Sequence, residues 1–385
     1  MMSRRISDSH GRSRPALEEV CDRIRSRCTD CGACRMQCSF LQRYGTPLDI
    51  VGRFDFSRPA HQRIAFECSL CTLCDAVCPA QVAPCDLFLA LRRQAAGQAN
   101  GQMWRYLPIL AFEKWGTSPL LSYYGLPEGC DTVFFPGCAL PGTRPETTWR
   151  LFTHLQHRIP TLGIVLDCCT KPSHDLGRQH HFEKMFAETA RYLSARGIRK
   201  VLVACPSCHT VFKQYGTGLT VDTVYPFLSC SALPPGSSGT GELAIHDPCS
   251  ARTETAIQDD VRSLLSRMGL PATEMPHHRE RTLCCGEGGS VGFVQPDLAG
   301  SWSRLRRTEA QGRKLVTYCT GCADRLSRRT PTVHVADLLF FPEQALNGGM
   351  PVAQPPHTYA NRWKLKQRFL RTLAPAVQGR IRPLA

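Results

Sequence analysis

Short apolar runs recur along the last two-thirds of the chain: DTVFF at 131–135, GIVL at 163–166, KVLVA at 200–204, ELAI at 242–245 and KLVTY at 314–318. They are brief and rich in β-branched and aromatic residues, so they read as strands. Longer stretches of helical character separate them, at 144–157, 178–196, 256–268 and 297–312. Strand alternating with helix predicts parallel sheets covered by helices. Near the end, NRWKLKQRFLRTL at 361–373 sets Leu365, Phe369 and Leu373 at i, i+4 and i+8, with basic residues filling much of the remainder. That predicts a basic amphipathic helix for an anionic membrane surface or a partner, the alternative being a solvated tail. Pro351, Pro355 and Pro356 set it apart as a linker would. The first 27 residues mix seven Arg and four acids with Ser and Gly, and are expected to be mobile until near Cys28. Residues 102–127, with Trp104, Trp115, Tyr123 and Tyr124, read as a connecting segment whose aromatics pack into a core.

Composition narrows the class. The chain has 385 residues, 42% hydrophobic and 21% charged, enough for two or three domains and not broadly disordered. Its 22 cysteines are many for this length. Disulfide-dense scaffolds are usually shorter and secreted. The N-terminus has no apolar run of the secretory kind, and LPILAF at 107–112 falls far short of the roughly 20 apolar residues of a membrane span. These features predict a cytoplasmic protein with reduced, metal-binding thiols. The net charge is +15, nearly half of it from residues 344–385, which hold seven Lys/Arg and no acid. A basic balance raises nucleic acid as a partner, but the Arg residues are scattered and no recognition module is present, so none is expected.

Eight cysteines lie in two tracts, Cys28-Thr-Asp-Cys31-Gly-Ala-Cys34-Arg-Met-Gln-Cys38 and Cys68-Ser-Leu-Cys71-Thr-Leu-Cys74-Asp-Ala-Val-Cys78-Pro79. Both read C-x2-C-x2-C-x3-C, the bacterial ferredoxin run. Three thiolates in a tight turn cap three corners of an iron–sulfur cube, and the fourth serves the other cluster. Cys28, Cys31, Cys34 and Cys78 are therefore assigned to one 4Fe–4S cluster, and Cys68, Cys71, Cys74 and Cys38 to the other. Ser39 follows the first tract where Pro79 follows the second. Zinc commonly takes two separated pairs and fits this spacing badly.

Ten more cysteines form a repeat. FFPGC ends at Cys138, then come Cys168-Cys169 and Cys205-Pro-Ser-Cys208; HDPC ends at Cys249, then come Cys284-Cys285 and Cys319-Thr-Gly-Cys322. Cys138 to Cys249 is 111 residues, Cys168 to Cys284 is 116 and Cys205 to Cys319 is 114. One nearly fixed period of that length indicates a duplicated domain rather than a solenoid. The cysteines follow the apolar runs, at strand C-terminal ends, where open α/β sheets place their sites. The run Gly286-Glu-Gly-Gly289 lets the backbone approach a cofactor closely. Buried structural cysteines are the alternative for all ten.

This arrangement resembles the cysteine-rich domain of heterodisulfide reductases, shared with the iron–sulfur subunits of anaerobic glycerol-3-phosphate dehydrogenase and glycolate oxidase. A two-cluster ferredoxin domain followed by two such domains is the layout of the D-type heterodisulfide reductase subunit, and the resemblance covers roughly residues 20–345. It implies an α-helical two-cluster ferredoxin domain followed by two duplicated α/β cysteine-rich domains with parallel sheets. The segments would be a mobile N-terminus at 1–20, the ferredoxin-type domain at 21–100, a linker at 101–128, cysteine-rich domains at 129–232 and 240–345, and a basic tail at 346–385. It further implies one or two more 4Fe–4S clusters, noncubane in the family, one on Cys138, Cys168, Cys169, Cys205 and Cys208 and the other on Cys249, Cys284, Cys285, Cys319 and Cys322. In the family such clusters face a cavity where a disulfide is cleaved. Thr170-Lys171 follows the first cysteine pair where the family has Gly, and Ser250 stands where it often has His.

The resemblance implies an iron–sulfur oxidoreductase, with electrons relayed through the two ferredoxin clusters to sites that reduce or form a disulfide. The alternative is an electron-transfer subunit of a flavin dehydrogenase of the glycerol-3-phosphate or glycolate type, passing electrons to quinone or a membrane cytochrome. The chain has no flavin or NAD fingerprint, so a redox partner subunit is expected: a flavoprotein, hydrogenase or membrane cytochrome. Peripheral contact with the cytoplasmic face of the membrane would come through the basic C-terminus. His209, His246 and Glu287 stand close to the cysteine motifs as polar neighbours and candidate proton donors. His180, His181, His277 and His278 read as surface residues, and Cys21, Cys85, Cys130 and Cys230 as thiols without a role.

Overall fold

The computed structural model describes residues 15–98, 103–234, 241–348 and 352–373, with 236, 237, 239 and 350. Most of the expected mobile N-terminus and the last residues of the basic tail lie outside the described residues. The chain divides into two compact units: residues up to Leu110 with Thr170–Met185 and Glu280–Arg306, and Ala111–Cys169 with Phe186–Arg279 and everything from Arg307 onward.

The first unit is helical. Residues 15–27 differ from the expectation of a mobile segment, because Leu17–Arg27 is a helix whose Val20, Cys21 and Ile24 are buried. Val20 and Ile24 stand one helical turn apart, which gives the short helix an apolar face to bury. That core also takes Phe40, Ile50, Ile64, Leu87, Phe88 and Leu91, with Cys284, Val291 and Trp302 from the 280–306 segment. The helix Pro47–Arg53 starts at a capping box, Thr46 with Asp49. The Thr46 hydroxyl also donates to Asp30 at 2.5 Å, inside the first cysteine tract.

Among the described residues, the second unit carries nine strands in two sheets. The strands are β1 (Tyr123–Gly125), β2 (Thr132–Phe135), β3 (Gly163–Leu166), β4 (Lys200–Val203), β5 (Thr220–Thr223), β6 (Leu243–His246), β7 (Ala272–Glu274), β8 (Lys314–Thr317) and β9 (Thr332–His334). The orders are β1-β3-β2-β4-β5 and β7-β6-β8-β9. Without β1 the two sheets share one parallel order, with β2 and β4 of the first matched by β6 and β8 of the second. The central strands are fully or almost fully buried, as strands of a helix-covered parallel sheet must be.

The connecting segment differs from its reading. Tyr123 and Tyr124 are buried in β1, which adds an antiparallel edge against β3, whereas Trp104 and Trp115 are exposed. The two sheets also share one apolar core, since Phe134, Ile164 and Leu202 belong to the same cluster as Ile245, Val316 and Val335. Two cysteine-rich halves thus fold as one body. Arg144 strengthens that join, bonding Asp337 at 2.7 Å and Asp324 at 2.8 Å from a buried position.

The helix His357–Thr372 settles the fate of the basic C-terminal stretch. Its apolar face is not free, for Leu365 and Phe369 are buried in the core, Phe369 against Trp149 and Phe152. Arg362 donates to the Gly116 carbonyl and Lys366 to that of Pro119. The face expected to meet a membrane is covered by the chain itself.

Candidate metal centres

The two ferredoxin tracts fold into the same turn. In the first, Asp30 and Gly32 have φ of +51° and +72°; in the second, Leu70 and Thr72, at the same places, have +53° and +57°. A left-handed backbone is costly for β-branched Thr72, so its recurrence at the same place marks a turn the two tracts share. Cys28, Cys31, Cys34 and Cys78 line one cavity of about 350 Å³, including its open mouth, with Gly32, Thr46, Pro47 and Pro79. Cys38 lies among Cys68 and Cys71, whose charges raise each other's proton affinity. Burial, then the neighbouring thiols, push Cys34 up to about 11 and Cys38 up to about 12. Backbone N–H groups already point at sulfur, from Leu70 to Cys68 and from Val82 to Cys78, both at 3.4 Å. Such bonds tune an iron–sulfur centre. Four thiols around each of two points, backed by amide donors, are the donor set a 4Fe–4S cube takes, so the residues fit the group. Cys85, read as a thiol without a role, is buried beside Cys74 and Cys68.

In the second unit the cysteines stand just beyond the C-terminal ends of parallel strands. Cys138 follows β2, Cys168-Cys169 follow β3, Cys205 follows β4, Cys249 follows β6 and Cys319 follows β8. Cys205 and Cys319 each sit at the N-terminus of a helix, Pro206–Tyr215 and Thr320–Leu326. The sulfurs stand in an unbroken run of neighbours: Cys138 beside Cys168, Cys168 beside Cys169, Cys208 beside both Cys169 and Cys205, Cys205 beside Cys319 and Cys319 beside Cys322. The Cys208–Cys169 separation is 3.4 Å. The run crosses from the first half to the second at Cys205 and Cys319, which are one repeat apart. The two thiols with a donating neighbour on either side are the acidic ones: Cys168 and Cys208 lower Cys169 to about 6, and Cys208 and Cys319 hold Cys205 well below the usual thiol range. Thiolates are what bind metal.

Cys284 and Cys285 of the second set belong to the first unit, where the Gly286 amide donates to Cys284 sulfur at 3.2 Å. The glycine run after them approaches protein backbone. A Cβ on Gly288 would stand 2.6 Å from the Ser69 carbonyl oxygen, and one on Gly289 2.6 Å from that of Cys68. Gly137 does face sulfur, since a Cβ there would stand 3.2 Å from Cys208 Sγ.

Residues that spacing did not single out hold these sites. Asp167, directly before the first pair, accepts from the Cys168 amide at 2.7 Å and from the Tyr124 hydroxyl. Asp247, two residues before Cys249, accepts from Arg262, the Arg279 amide and the Tyr318 hydroxyl. Burial opposes its charge, but Arg262 and these donors win and hold its carboxyl below the usual range. The Tyr225 hydroxyl donates to the Ala204 carbonyl at 3.1 Å and the Tyr318 carbonyl at 2.9 Å, the residues directly before Cys205 and Cys319. Thr210 bonds the Ser250 carbonyl at 3.0 Å, joining the first CxxC helix to the segment that carries Cys249. The acid before each motif was the one readable signal. His209 and His246 are buried, and burial disfavours the proton on His209. Glu287 is exposed. His278 bonds the Met275 carbonyl and His277 bonds Glu309.

Comparison with known proteins gives the same layout. Residues 27–83 match the 4Fe-4S dicluster domain, and residues 132–213 and 243–327 each match the cysteine-rich domain. The B subunit of the fumarate reductase (CoM/CoB) of Methanothermobacter marburgensis is 24% identical over 82% of this chain and 70% of its own length. The D subunit of the dihydromethanophenazine:CoB–CoM heterodisulfide reductase of Methanosarcina mazei is 24% identical over 66% of this chain and 69% of its own. The glycolate oxidase iron-sulfur subunit of Escherichia coli is 25% identical over 56% and 58%. Among solved structures, an aspartate racemase homologue from Pyrococcus horikoshii overlaps 55% of this chain and 96% of its own at 14% identity, with a TM-score of only 0.24. The chain thus joins a 4Fe-4S dicluster domain to two cysteine-rich domains, as an iron–sulfur electron-transfer protein that resembles the D subunits of heterodisulfide reductase and the glycolate oxidase iron-sulfur subunit.

Proposed function

We propose that the chain relays single electrons from a partner subunit to its cysteine-rich sites, where a disulfide is reduced or, in reverse, formed. Cys28, Cys31, Cys34 and Cys78 would hold one 4Fe–4S cube and Cys38, Cys68, Cys71 and Cys74 the other. Cys138, Cys168, Cys169, Cys205 and Cys208 would hold a further cluster, and Cys249, Cys284, Cys285, Cys319 and Cys322 its counterpart. When bound, these centres supply storage and release of one electron each. The balance requires two: RS–SR′ takes up two electrons and two protons, the S–S bond breaks and two thiols leave. The protein's own residues set the stage. Tyr225 holds the residues before Cys205 and Cys319 through one hydroxyl, and Asp167 and Asp247 fix the segments ahead of Cys168 and Cys249.

The observation that carries this reading is the continuous sulfur run joining the two halves through Cys205 and Cys319. Two one-electron sites beside one another suit a two-electron bond. Anaerobic reconstitution followed by low-temperature electron paramagnetic resonance, with and without thiols and disulfides, tests it. Substrate-dependent spectra are expected. Spectra indifferent to every disulfide and thiol, in a protein that co-purifies with a flavoprotein, would favour the relay to quinone or a membrane cytochrome. In either case the electrons enter from another subunit.

For contact with the cytoplasmic face of the membrane, the outward side of the helix His357–Thr372 takes the place of its covered face. Trp363, Tyr359 and Ala360 line an apolar groove with Ala111, Trp115, Leu120 and Leu121, and Trp115, Leu120 and Trp363 are about half exposed. Lys364 and Arg371 flank Trp363 on its own helix. Aromatic rings beside cations suit an anionic bilayer surface. Flotation with phosphatidylserine vesicles, and not with phosphatidylcholine vesicles, is expected. Flotation that Trp115→Ala with Trp363→Ala leaves unchanged would count against this face.

A further inference from the structure

Arg92 lies on the helix Cys85–Gly97 with no exposure to solvent. Burying a guanidinium is costly unless a counter-charge or a full set of acceptors meets it. Among the described residues, its hydrogen bonds all go to backbone carbonyls: Ala65 at 3.0 Å, Asp175 at 2.7 Å, Gly289 at 2.9 Å and Cys68 at 2.6 Å. The Asp175 carboxylate is engaged by Lys171 and His174. The Phe66 ring, 5.1 Å from the guanidinium carbon, closes one side. Four acceptors take four of its five N–H groups but carry no net charge.

The acceptors come from three places that bear on the redox centres. Cys68 belongs to the second ferredoxin tract. Asp175 lies on the segment that begins directly after Cys168-Cys169, and Gly289 on the one that begins directly after Cys284-Cys285. The packing is close at each. A Cβ on Gly177 would stand 2.2 Å from the Arg92 carbonyl oxygen, and one on Gly289 3.1 Å from an Arg92 guanidinium nitrogen.

We propose that Arg92 is the fixed cation that sets the potential of the centre on Cys38, Cys68, Cys71 and Cys74, and that the same guanidinium fastens the segments following both cysteine pairs to that tract. The inference rests on the cluster assignment proposed above. Gaining an electron adds negative charge beside Cys68. A buried cation, little screened by water, favours that state and raises the reduction potential. Arg92 acts through position and charge, so it is a positioning residue.

The test is a redox titration followed by electron paramagnetic resonance on the anaerobically reconstituted full chain, wild type against Arg92→Met and Arg92→Lys, with Cys74→Ser to assign the signal. Arg92→Met is expected to lower the midpoint of the centre lost in Cys74→Ser while leaving the other unchanged. Arg92→Lys keeps the charge without the planar fork. It is expected to shift that midpoint less, yet to speed amide exchange across residues 171–177 and 286–290. Unchanged midpoints in both variants, or equal shifts of both centres, overturn the proposal. Should Arg92→Met fail to fold, Arg92→Lys decides alone: unaltered exchange in those segments overturns the fastening. Iron and acid-labile sulfide are measured on the same samples. Wild-type protein devoid of both means the cluster assignment itself has failed, whereas loaded protein with unmoved midpoints means only Arg92 was misread.

Discussion

The two ferredoxin tracts and the cysteine-rich half solve one problem, gathering thiols, in opposite ways. In the tracts the sulfurs are neighbours in sequence and a single left-handed turn points three of them inward. The regular structure around them is brief, in helices such as Ala33–Gln37 and Leu73–Ala76. In the second unit the sulfurs arrive from strands far apart in the chain, and only the two sheets and their shared core bring Cys138, Cys168, Cys205 and Cys319 together. The tracts are therefore expected to depend more on a bound cluster for their order, and the cysteine-rich half on its packed scaffold.

Removing iron should separate the two most sharply. Anaerobic chelation is expected to strip amide-exchange protection from residues 28–38 and 68–78 while β2, β4, β6 and β8 keep theirs, because metal binding is folding free energy where little else supplies it. Simultaneous melting of both regions would erase the contrast. Next in size, Arg144→Met removes the cation between buried Asp337 and partly buried Asp324, which join the two halves. A loss of about 3–5 kcal/mol is expected in urea unfolding, as one transition if the halves are one body.

Acid should act through His334. Burial, with a smaller contribution from Arg144, outweighs Asp337 and lowers its affinity for a proton to about 4 from 6.5. Between those values the unfolded chain binds a proton that the folded chain does not. This contribution to stability is complete above pH 6.5 and is lost as pH falls toward 4, at about 1.4 kcal/mol per pH unit. His334→Gln should flatten that slope in pH-dependent unfolding. Smaller still, Tyr225→Phe leaves two carbonyls without their shared donor and is expected to cost about 1–2 kcal/mol. Its sharper readout is a change in the spectra of the cysteine-rich sites with the ferredoxin signals unmoved.

Much of the fold was legible. The helices read at 144–157, 178–196, 256–268 and 297–312 match Pro145–Gln156, Gln179–Ala195, Thr255–Arg267 and Pro296–Ala310, because apolar periodicity is a local property. β5, β7 and β9 escaped notice. All three are short, and in β5 and β7 exposed or half-exposed polar residues such as Thr220, Asp222 and Thr273 interrupt the apolar pattern. The helix Leu17–Arg27 was hidden by its many charges, since two apolar residues one turn apart are a weak signal among three Arg and three acids. The C-terminal helix was read correctly as amphipathic, but periodicity states only that a face will be covered and is silent on what covers it.

The sequence by itself determined which sulfurs can act as groups and in what order strand and helix alternate, because cysteine spacing and apolar period operate over a few residues. Tertiary structure decided that the two sheets share one core, that Tyr225 serves both halves, that the apolar face of the last helix is spent on its own domain, and that one buried arginine binds three distant segments. Those outcomes depend on charge and shape meeting across long separations, 83 residues from Arg92 to Asp175 and 93 from Tyr225 to Tyr318, where no local pattern carries the information.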